Sequence, residues 1–318
     1  MTSLDTAPLV RAILGSREQS SLITYASGWD RWRRWCILSA RPVWPPTPAD
    51  LALCMISCVQ EGASESVSNN VYSAVLTFSS VLGNVNLSQS ELLSDVKAYI
   101  KKSAIKKHRE RDPLLYEDLK KIVKNTDWSN LVKSRDTVLF VVAWHSFLRY
   151  SDITVIKVSD ISIERDHFTL FISKSKTDKS GEGQTVVVAR NQSELDPWSL
   201  VRWYMDKMEF SSLSENEKQS TFLFPHIEEV GGNLVSFDST PIKYQTVQAS
   251  IKSVAKELEL DLAKAGSHCL RIGGATSYTQ RGVSSEVVMA KGRWRCESTR
   301  LKYARVTARN IIETSQIF

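Results

Sequence analysis

Five side chains within one short segment have the chemistry needed to break a phosphodiester bond. His268 and Arg271 lie three residues apart and so point to one side of a helix. Arg293 and Trp294 follow, and then Tyr303. Guanidinium groups bind phosphate oxygens in pairs, an imidazole can move a proton, and a phenol can act as an oxygen nucleophile. A histidine or tyrosine taken singly is more often a packing residue, so the prediction rests on their order and proximity.

Small residues indicate how this segment folds. A Gly-Gly-Ala run at 273–275 predicts a helix that presses closely against a neighbouring element. Ser284 or Ser285 predicts the cap of a second short helix, and Gly292 predicts its end. The candidate catalytic groups are therefore expected on a compact series of short helices.

Length and composition limit the class of protein. The chain has 318 residues, enough for two domains with their own cores, and its net charge of +6 permits a polyanionic partner without requiring one. Its five cysteines form no Cys-x-x-Cys pair, which predicts reduced thiols of an intracellular protein and disfavours a disulfide framework or a zinc site. The apolar runs are too short for a membrane span and the N-terminus lacks a signal-peptide core, so we expect neither.

Residues 1–110 are predicted to form a small all-helical domain. An apolar stripe at helical spacing marks the first helix and comprises Tyr25, Trp29, Trp32 and Cys36. The predicted helices span residues 20–40, 48–60 and 66–81, with Thr47 capping the second, and a fourth starts at a cap on Ser88.

Basic residues are concentrated at two places in this domain. Some lie off the stripe of the first helix, and others form a dense run before Asp112-Pro113, which signals a chain break. Such runs are usually solvated surface, but this one lies between two predicted folding units, where a duplex held by both would pass. We predict a domain boundary near residue 110, and DNA contacts by Arg31, Arg33, Arg34, Lys101, Lys102, Lys106, Lys107, Arg109 and Arg111.

Residues 111–318 are predicted to combine helices with a small antiparallel β-sheet. Two segments of β pattern, 167–173 and 185–189, predict a β-hairpin, and the polar segment 211–233 predicts a loop. The predicted helices span residues 115–123, 135–148, 196–208 and 244–258. The fold class is therefore mainly α with a small antiparallel sheet.

An arginine at the end of an apolar helix indicates an anion site. Arg149 follows the nearly all-apolar segment 135–148, where a buried guanidinium without an anion is costly. Asp152, three residues later, can hold it and still leave N–H donors for a ligand.

Together these motifs resemble the tyrosine recombinases, the phage-integrase family. In that family a His-x-x-Arg motif is followed after about 23 residues by His or Trp and after about nine more by Tyr. Here Arg271 to Trp294 is 23 residues and Trp294 to Tyr303 is 9. The segment around Arg149 is similar to the family's first catalytic arginine motif, with Phe147 where the family usually has glycine.

The resemblance also bears on the hairpin turn, where Lys174, Lys176 and Lys179 would otherwise be solubilising residues. In the family this hairpin carries a mobile lysine that protonates the leaving oxygen. The Lys-Ser-Lys-Thr spacing makes Lys176 the best match and Lys174 the second.

Catalytic roles follow from the resemblance. Arg149 and Arg271 would bind the scissile phosphate, and Tyr303 would attack it, with His268 as base or hydrogen-bond partner. Lys176 would protonate the leaving 5′ oxygen and Trp294 would pack against the phosphate. The supporting residues would be Asp152, Arg293 and Lys174, and whether Arg293 or Trp294 fills the buttress position stays open. No metal, nucleotide or other cofactor is implied.

The resemblance also implies an architecture and partners. Residues 1–110 would be a SAM-like core-binding domain that clamps DNA, and 111–318 the catalytic domain with a C-terminal docking tail. Four copies would act on two double-stranded DNA sites, without a membrane or a small-molecule ligand. The expected activity is site-specific recombination through a 3′-phosphotyrosyl bond. Its expected role is integration or excision of a mobile element.

The HCLRIGGATS and GRW strings are most similar to recombinases of DIRS-like eukaryotic mobile elements. The protein would be located in the nucleus of a eukaryote, or in the cytoplasm or nucleoid of a prokaryote.

The alternative functions are those of a type IB topoisomerase, a domesticated DNA-binding protein without catalysis, and an enzyme acting on small phosphoesters. All six catalytic positions are occupied, which disfavours the silent protein, and a helical DNA-binding domain disfavours the small-substrate enzyme.

Overall fold

The chain forms two compact units, Met1–His108 and Arg109–Phe318. The computed structural model describes residues 19–83, 86–103, 111–173, 181–230 and 233–304, together with residues 15 and 178. Each unit has a hydrophobic core of its own. Within the described part of the chain, no helix is long and apolar enough to cross a membrane.

The described part of the first unit is helical, as predicted. Its helices are α1 (Gln19–Leu38), α2 (Pro48–Gln60), α3 (Glu65–Gly83) and α4 (Glu91–Ser103). Trp32 and Cys36 of the predicted stripe are buried in the core, and Trp29 packs on Phe78 with ring centroids 5.1 Å apart. Gly28 lets α1 cross α3 closely, because a Cβ there would lie 2.6 Å from the Asn70 carbonyl oxygen.

Two helix starts in this unit were predicted from capping residues. At α2 the prediction is confirmed, because the Asp50 amide donates to Thr47 Oγ1 at 3.1 Å and Pro48 takes the first position. At α4 the predicted cap is wrong. The Leu93 amide donates to Ser90 Oγ at 3.4 Å, whereas Ser88 Oγ donates to Asn86 Oδ1. Ser88 forms a turn with Asn86. The helix is therefore capped two residues later, by Ser90, and begins at Glu91.

The second unit is built around one central helix. Its helices α5 (Tyr116–Asn125), α6 (Leu131–Ser146), α7 (Tyr150–Ile153), α8 (Pro197–Lys207), α9 (Glu215–Ser220), α10 (Tyr244–Glu257), α11 (His268–Gln280), α12 (Ser285–Gly292) and α13 (Glu297–Tyr303) occupy the described residues. Every residue of α6 from Ser134 to Ser146 is buried. α8 and α11 both pack against it. The apolar segment predicted to be an interior helix is therefore confirmed as the core of the unit.

A three-stranded antiparallel sheet lies beside these helices. Its strands, in spatial order, are β1 (Ile161–Ile163), β2 (His167–Ile172) and β3 (Gln184–Ala189). β2 and β3 form the predicted hairpin, in a register that pairs Leu170 with Val186. β1, only three residues long, carries too little pattern to be predicted.

The segment predicted to be a loop at 211–233 is in fact mostly structured, and this prediction is wrong. It contains α9, capped by Ser214 Oγ accepting from the Glu217 amide, and the first strand of a second hairpin. That hairpin pairs β4 (Pro225–Val230) with β5 (Asn233–Pro241). On β4 the exposed Glu228 follows the buried Ile227, and such polar residues hide the strand pattern.

The residues that open the second unit are fastened to α11. Arg111 Nη1 donates to the Ala265 carbonyl at 2.8 Å, and the Leu114 amide donates to the Cys269 carbonyl at 3.1 Å. A Cβ at Gly273 would overlap the Leu114 carbonyl, so only glycine permits this approach. The close packing predicted for the Gly-Gly-Ala run is thus confirmed.

Candidate active site

The turn after α6 carries an aromatic residue in a backbone conformation that favours glycine. Phe147 has φ 50° and ψ 35°, the left-handed region, and its amide donates to the Ala143 carbonyl. For a residue with a Cβ this conformation costs about 1–2 kcal/mol. The conformation directs the Phe147 carbonyl toward the two guanidinium groups described next, so this turn builds part of the site.

Arg271, on the first turn of α11, is held by backbone carbonyls. Its Nη1 donates to the Phe147 carbonyl, and its Nη2 donates to the Gly292 carbonyl at 2.6 Å. The side chain is only 1% exposed. Burial, reinforced by repulsion from two other arginines, lowers the pKa of Arg271 to about 9, so the group stays cationic at neutral pH.

Arg293 ends α12 in the same left-handed conformation, with φ 54°. Its Nη2 donates to the Phe147 carbonyl at 3.3 Å and lies 3.6 Å from Asp152 Oδ2. Burial lowers the pKa of Arg293 as well, although the Asp152 carboxylate opposes the shift. One carbonyl, that of Phe147, thus receives hydrogen bonds from two arginines.

Arg149 completes a cluster of three guanidinium groups. Its Nη1 lies 3.6 Å from Asp152 Oδ2, and its side chain is 16% exposed. Asp152 is 1% exposed and is the one carboxylate that the described residues place within ion-pair distance of Arg149 or Arg293. Arg149 and Arg293 therefore share one carboxylate, and Arg271 is held by backbone carbonyls.

Several N–H groups of this cluster are buried without an acceptor among the described residues. They belong to Arg149 Nη1, Arg271 Nε, and Arg293 Nε and Nη1. A buried charged donor without a partner is costly, so the arrangement suits an additional anion. A tetrahedral oxyanion such as a phosphate diester offers acceptors in several directions at once.

The Tyr303 ring lies against the same cluster. The Arg271 guanidinium carbon is 5.0 Å from the centroids of both the Tyr303 and the Trp294 rings. These two rings stack with centroids 5.0 Å apart and planes at 18°. Thr276 Oγ1, on α11, donates to the Tyr303 carbonyl at 3.0 Å and ties α13 to the arginine-bearing helix.

The structure gives less information on the other predicted catalytic residues, His268, Lys174 and Lys176. His268 is the first residue of α11 and is exposed. Lys174 and Lys176 lie outside the described residues. The end of their loop borders the cluster, since Glu182 and Gln184 line a cavity of about 440 Å³ together with Arg293 and Trp294. Asp178 orders that end by accepting from the Gly181 and Gly183 amides at 3.0 and 2.9 Å.

Sequence reasoning overlooked Lys291. Its ammonium lies 5.3 Å from the Tyr278 ring centroid and 5.9 Å from that of Phe147. Burial, and then repulsion from Arg293, lowers the pKa of Lys291 to about 8. Its position two residues before Arg293, at the end of a short helix, was the available signal.

The predicted DNA-binding residues have varied surroundings. Arg33 and Arg34 are exposed and both pair with Asp30, at 3.2 and 2.6 Å, and Lys101 and Lys102 are exposed at the end of α4. Arg31 is half-buried on α1. Arg111 is bonded to the Ala265 carbonyl, as described above. Lys106, Lys107 and Arg109 lie outside the described residues.

Replacing Asp152 by asparagine should strongly destabilise the second unit. The change keeps the side-chain shape but leaves Arg149 and Arg293 without their shared carboxylate, at an expected cost of about 3–5 kcal/mol in the free energy of unfolding. Denaturant unfolding measures this cost, and sulfate should restore more stability to the variant than to the wild type.

Asp30→Asn is the matched control, because Asp30 also pairs with two arginines but is exposed. It should change the free energy of unfolding by less than about 1 kcal/mol. Equal losses for the two variants would show that burial of the arginine cluster carries no charge penalty.

Known proteins resemble this chain over most of its length. A model of the "Phage integrase family" matches residues 112–310. An integrase/recombinase xerD homolog of Selenomonas ruminantium is 21% identical over 300 residues, covering 92% of this chain and 83% of that protein.

Solved structures show the same fold at low identity. A lambda integrase dimer bound to a COC′ core site superposes with a TM-score of 0.61 at 18% identity, covering 97% of each chain. The XerH site-specific recombinase bound to palindromic difH gives 0.58 at 16%, covering 91% of this chain and 76% of that one. The mainly α fold with small antiparallel sheets is thereby confirmed. Since the family model spans well over half of its length, the chain belongs to the phage integrase family, the tyrosine recombinases.

Proposed function

We propose that this chain cleaves and rejoins double-stranded DNA through a covalent bond between Tyr303 and the 3′ phosphate of the cut strand. One observation carries the proposal: guanidinium N–H groups of Arg149, Arg271 and Arg293 are buried without acceptors among the described residues, and the Arg271 guanidinium lies beside the Tyr303 ring. A phosphodiester placed there would satisfy these donors and lie within reach of the phenol. Phosphoryl transfer of this kind is the activity by which tyrosine recombinases operate.

The arginines would stabilise the transition state. Attack on phosphorus places extra negative charge on the non-bridging oxygens, which Arg149, Arg271 and Arg293 would face. Arg271 is held in place by the carbonyls of Phe147 and Gly292, so its guanidinium need not reorganise as charge develops. The buried setting strengthens each of these contacts relative to water.

Two proton transfers would accompany the reaction. The Tyr303 oxygen forms a bond to phosphorus while the bond from phosphorus to the 5′ oxygen breaks. His268 would accept the phenolic proton or hydrogen-bond the attacking oxygen, and Lys176 would give a proton to the leaving oxygen, producing a 5′ hydroxyl. Glu182 and Gln184, at the end of the β2–β3 loop, line a cavity together with Arg293 and Trp294. This position supports a lysine of the same loop as the general acid.

The Trp294 indole has two roles in this proposal. Its Nε1 is buried without an acceptor among the described residues and would donate to the phosphate. Its ring stacks on the nucleophile. Arg293, the other candidate for the buttress, donates to the Phe147 carbonyl. We assign the buttress role to Trp294, because its ring stacks on Tyr303 and its spacing to Tyr303 matches the family pattern.

Two short sequence motifs support a proposal for the biological setting. HCLRIGGATS and GRW favour a recombinase of a DIRS-like eukaryotic mobile element, acting in the nucleus in that case. Integration or excision would need four copies on two DNA sites. The first unit and the basic run up to Arg111 would bind DNA phosphates, with Arg33, Arg34, Lys101 and Lys102 exposed for that purpose.

The function is tested by covalent trapping. Randomised duplexes with a nick just 3′ of the candidate phosphate lose a short strand on cleavage, so the adduct persists. We expect wild-type protein to form, in EDTA, an adduct that survives detergent, blocks the DNA 3′ end and leaves a 5′ hydroxyl. Sequencing the trapped DNA would reveal the target. An adduct at a 5′ phosphate, or none from any duplex, would contradict the proposal.

A further inference from the structure

We infer that the ring of Phe147 is a positioning residue that sets the orientation of Tyr303 through Trp294. The inference rests on the proposed function and deepens it, because it assigns a task to a side chain where the family usually has glycine. The carbonyl of Phe147 already serves the arginines, and glycine could present the same carbonyl. The ring must therefore account for the presence of phenylalanine.

The backbone at this position favours glycine. Phe147 has positive φ, a conformation that glycine adopts without the clash of a Cβ. A larger side chain here opposes the local backbone preference, and such exceptions concentrate at functional sites.

The surroundings are shaped to accept the ring. Phe147 is fully buried, and a Cβ at Gly274 would lie 2.8 Å from its Cε1. Its edge meets Tyr278 with centroids 5.2 Å apart and planes at 83°. Its face stacks with Trp294 at 6.2 Å and 22°.

Trp294 transmits this contact to the nucleophile. The indole stacks with Phe147 and also with Tyr303, at 5.0 Å and 18°. A Cβ at Gly292 would overlap the indole, so Trp294 packs flat on the end of α12. Phe147, Trp294 and Tyr303 belong to a small hydrophobic cluster that is separate from the main core of the unit.

Phe147 would therefore have two separate tasks, one for its carbonyl and one for its ring. The Phe147 carbonyl orients two phosphate-binding arginines, and its ring orients the attacking phenol. Without the ring, Trp294 could tilt into the freed space and Tyr303 would lose its lateral support. A displacement of the order of 1 Å slows an aligned reaction by about 100-fold.

Phe147→Gly separates the two tasks, because it keeps the left-handed backbone and the carbonyl while deleting the ring. With a nicked duplex that wild type cleaves, we expect single-turnover adduct formation at saturating DNA to slow by about 10- to 100-fold. The dissociation constant for DNA should stay within about 3-fold of the wild-type value, since the arginines keep their acceptor. Adduct formation at the wild-type rate would overturn the inference and leave the proposed function intact. Absence of any adduct from the wild type would instead refute the proposed function.

Phe140→Leu is the matched control for lost packing. Phe140 is a buried phenylalanine on α6, the helix that Phe147 follows, but it belongs to the main core. The control should leave the cleavage rate of the folded protein unchanged. An equal slowing would mean that general loosening of α6, and not the ring stack, limits the reaction.

An external nucleophile supplies a readout that a purely structural role would not give. In Tyr303→Ala protein, hydrogen peroxide can attack the bound phosphate, so that an oxygen–phosphorus bond forms and the 5′ oxygen leaves as a hydroxyl. Adding Phe147→Gly to this background should not change the peroxide-dependent rate, because no tyrosine remains to be positioned. A loss as large as in the tyrosine reaction would assign the ring to support of the arginines and overturn the inference.

Discussion

Tyr303→Phe is expected to abolish the covalent protein–DNA adduct while leaving DNA binding unchanged. The variant keeps the ring that stacks on Trp294 and faces Arg271, and the backbone bond from Thr276 is untouched. Only the attacking oxygen is lost, so adduct formation should fall by at least about 10⁴-fold. Denaturing gel electrophoresis of the nicked-duplex reaction measures the adduct, and a gel-shift assay measures binding.

Tyr278→Phe is the control for this change. Tyr278 lies in the same small cluster, and its hydroxyl contacts His145 Nδ1 at 3.2 Å, away from the arginines. Its adduct formation should stay within about 3-fold of wild type, because a neutral hydrogen bond contributes only about 1 kcal/mol to stability. A 3′-linked adduct that persists in Tyr303→Phe would transfer the nucleophile to another residue, which peptide mapping would identify.

The second large effect concerns the arginines. Arg149→Ala and Arg271→Ala should each slow cleavage by about 10²–10⁴-fold, which corresponds to about 3–5 kcal/mol of lost transition-state stabilisation. Arginine to lysine should restore only part of the rate, because an ammonium cannot make the planar two-point contact. Single-turnover cleavage at saturating DNA measures both effects.

The two alanine variants should differ in stability. Arg271 donates to the carbonyls of Phe147 and Gly292. Its loss removes the donor to the Gly292 carbonyl and leaves the Phe147 carbonyl with Arg293 alone, so it should lower the free energy of unfolding. Arg149 mainly repels its neighbours and shares Asp152 with Arg293. Its removal should leave stability unchanged or raise it, even as cleavage fails.

A substrate with a bridging sulfur at the 5′ position separates these arginines from the general acid. A thiolate leaves without a proton, so the sulfur substrate should restore cleavage to Lys176→Ala but not to Arg271→Ala. Rescue of Lys174→Ala alone would move the acid to the neighbouring lysine. Rescue of neither would place the acid outside the hairpin, with His268 the next candidate.

Much of the architecture could be predicted from periodicity and capping. The stripe ending in Trp32 and Cys36, the Thr47 cap and the all-apolar α6 each record a local preference that agrees with the final packing. The site was located because residues far apart in the chain matched a spacing pattern around Arg271. Which guanidinium nitrogens stay free depends on tertiary contacts, and no local pattern encodes those.

The features that were missed have different physical reasons. The first strand of the β4–β5 hairpin contains His226, Glu228 and Glu229, and this polar composition resembled that of a loop. Phe147 has a glycine-like backbone conformation, and the space for its ring is formed by Trp294 and Gly274, which lie more than 120 residues later in the chain. Lys291 enters the site because α12 ends one residue later, at Gly292, and turns back at Arg293.

The contacts of residues 111–114 with α11 and the loop before it limit where the helical first unit could be joined to another chain. Arg111 holds the loop before His268, and the Leu114 carbonyl accepts from the Trp144 indole while its backbone lies against Gly273. The match to the family model begins at residue 112, inside this contact. A helical unit could be traded between relatives, in evolution or in the laboratory, only through a junction upstream of Arg111. A junction a few residues later would exchange part of the second unit's scaffold along with the helical unit.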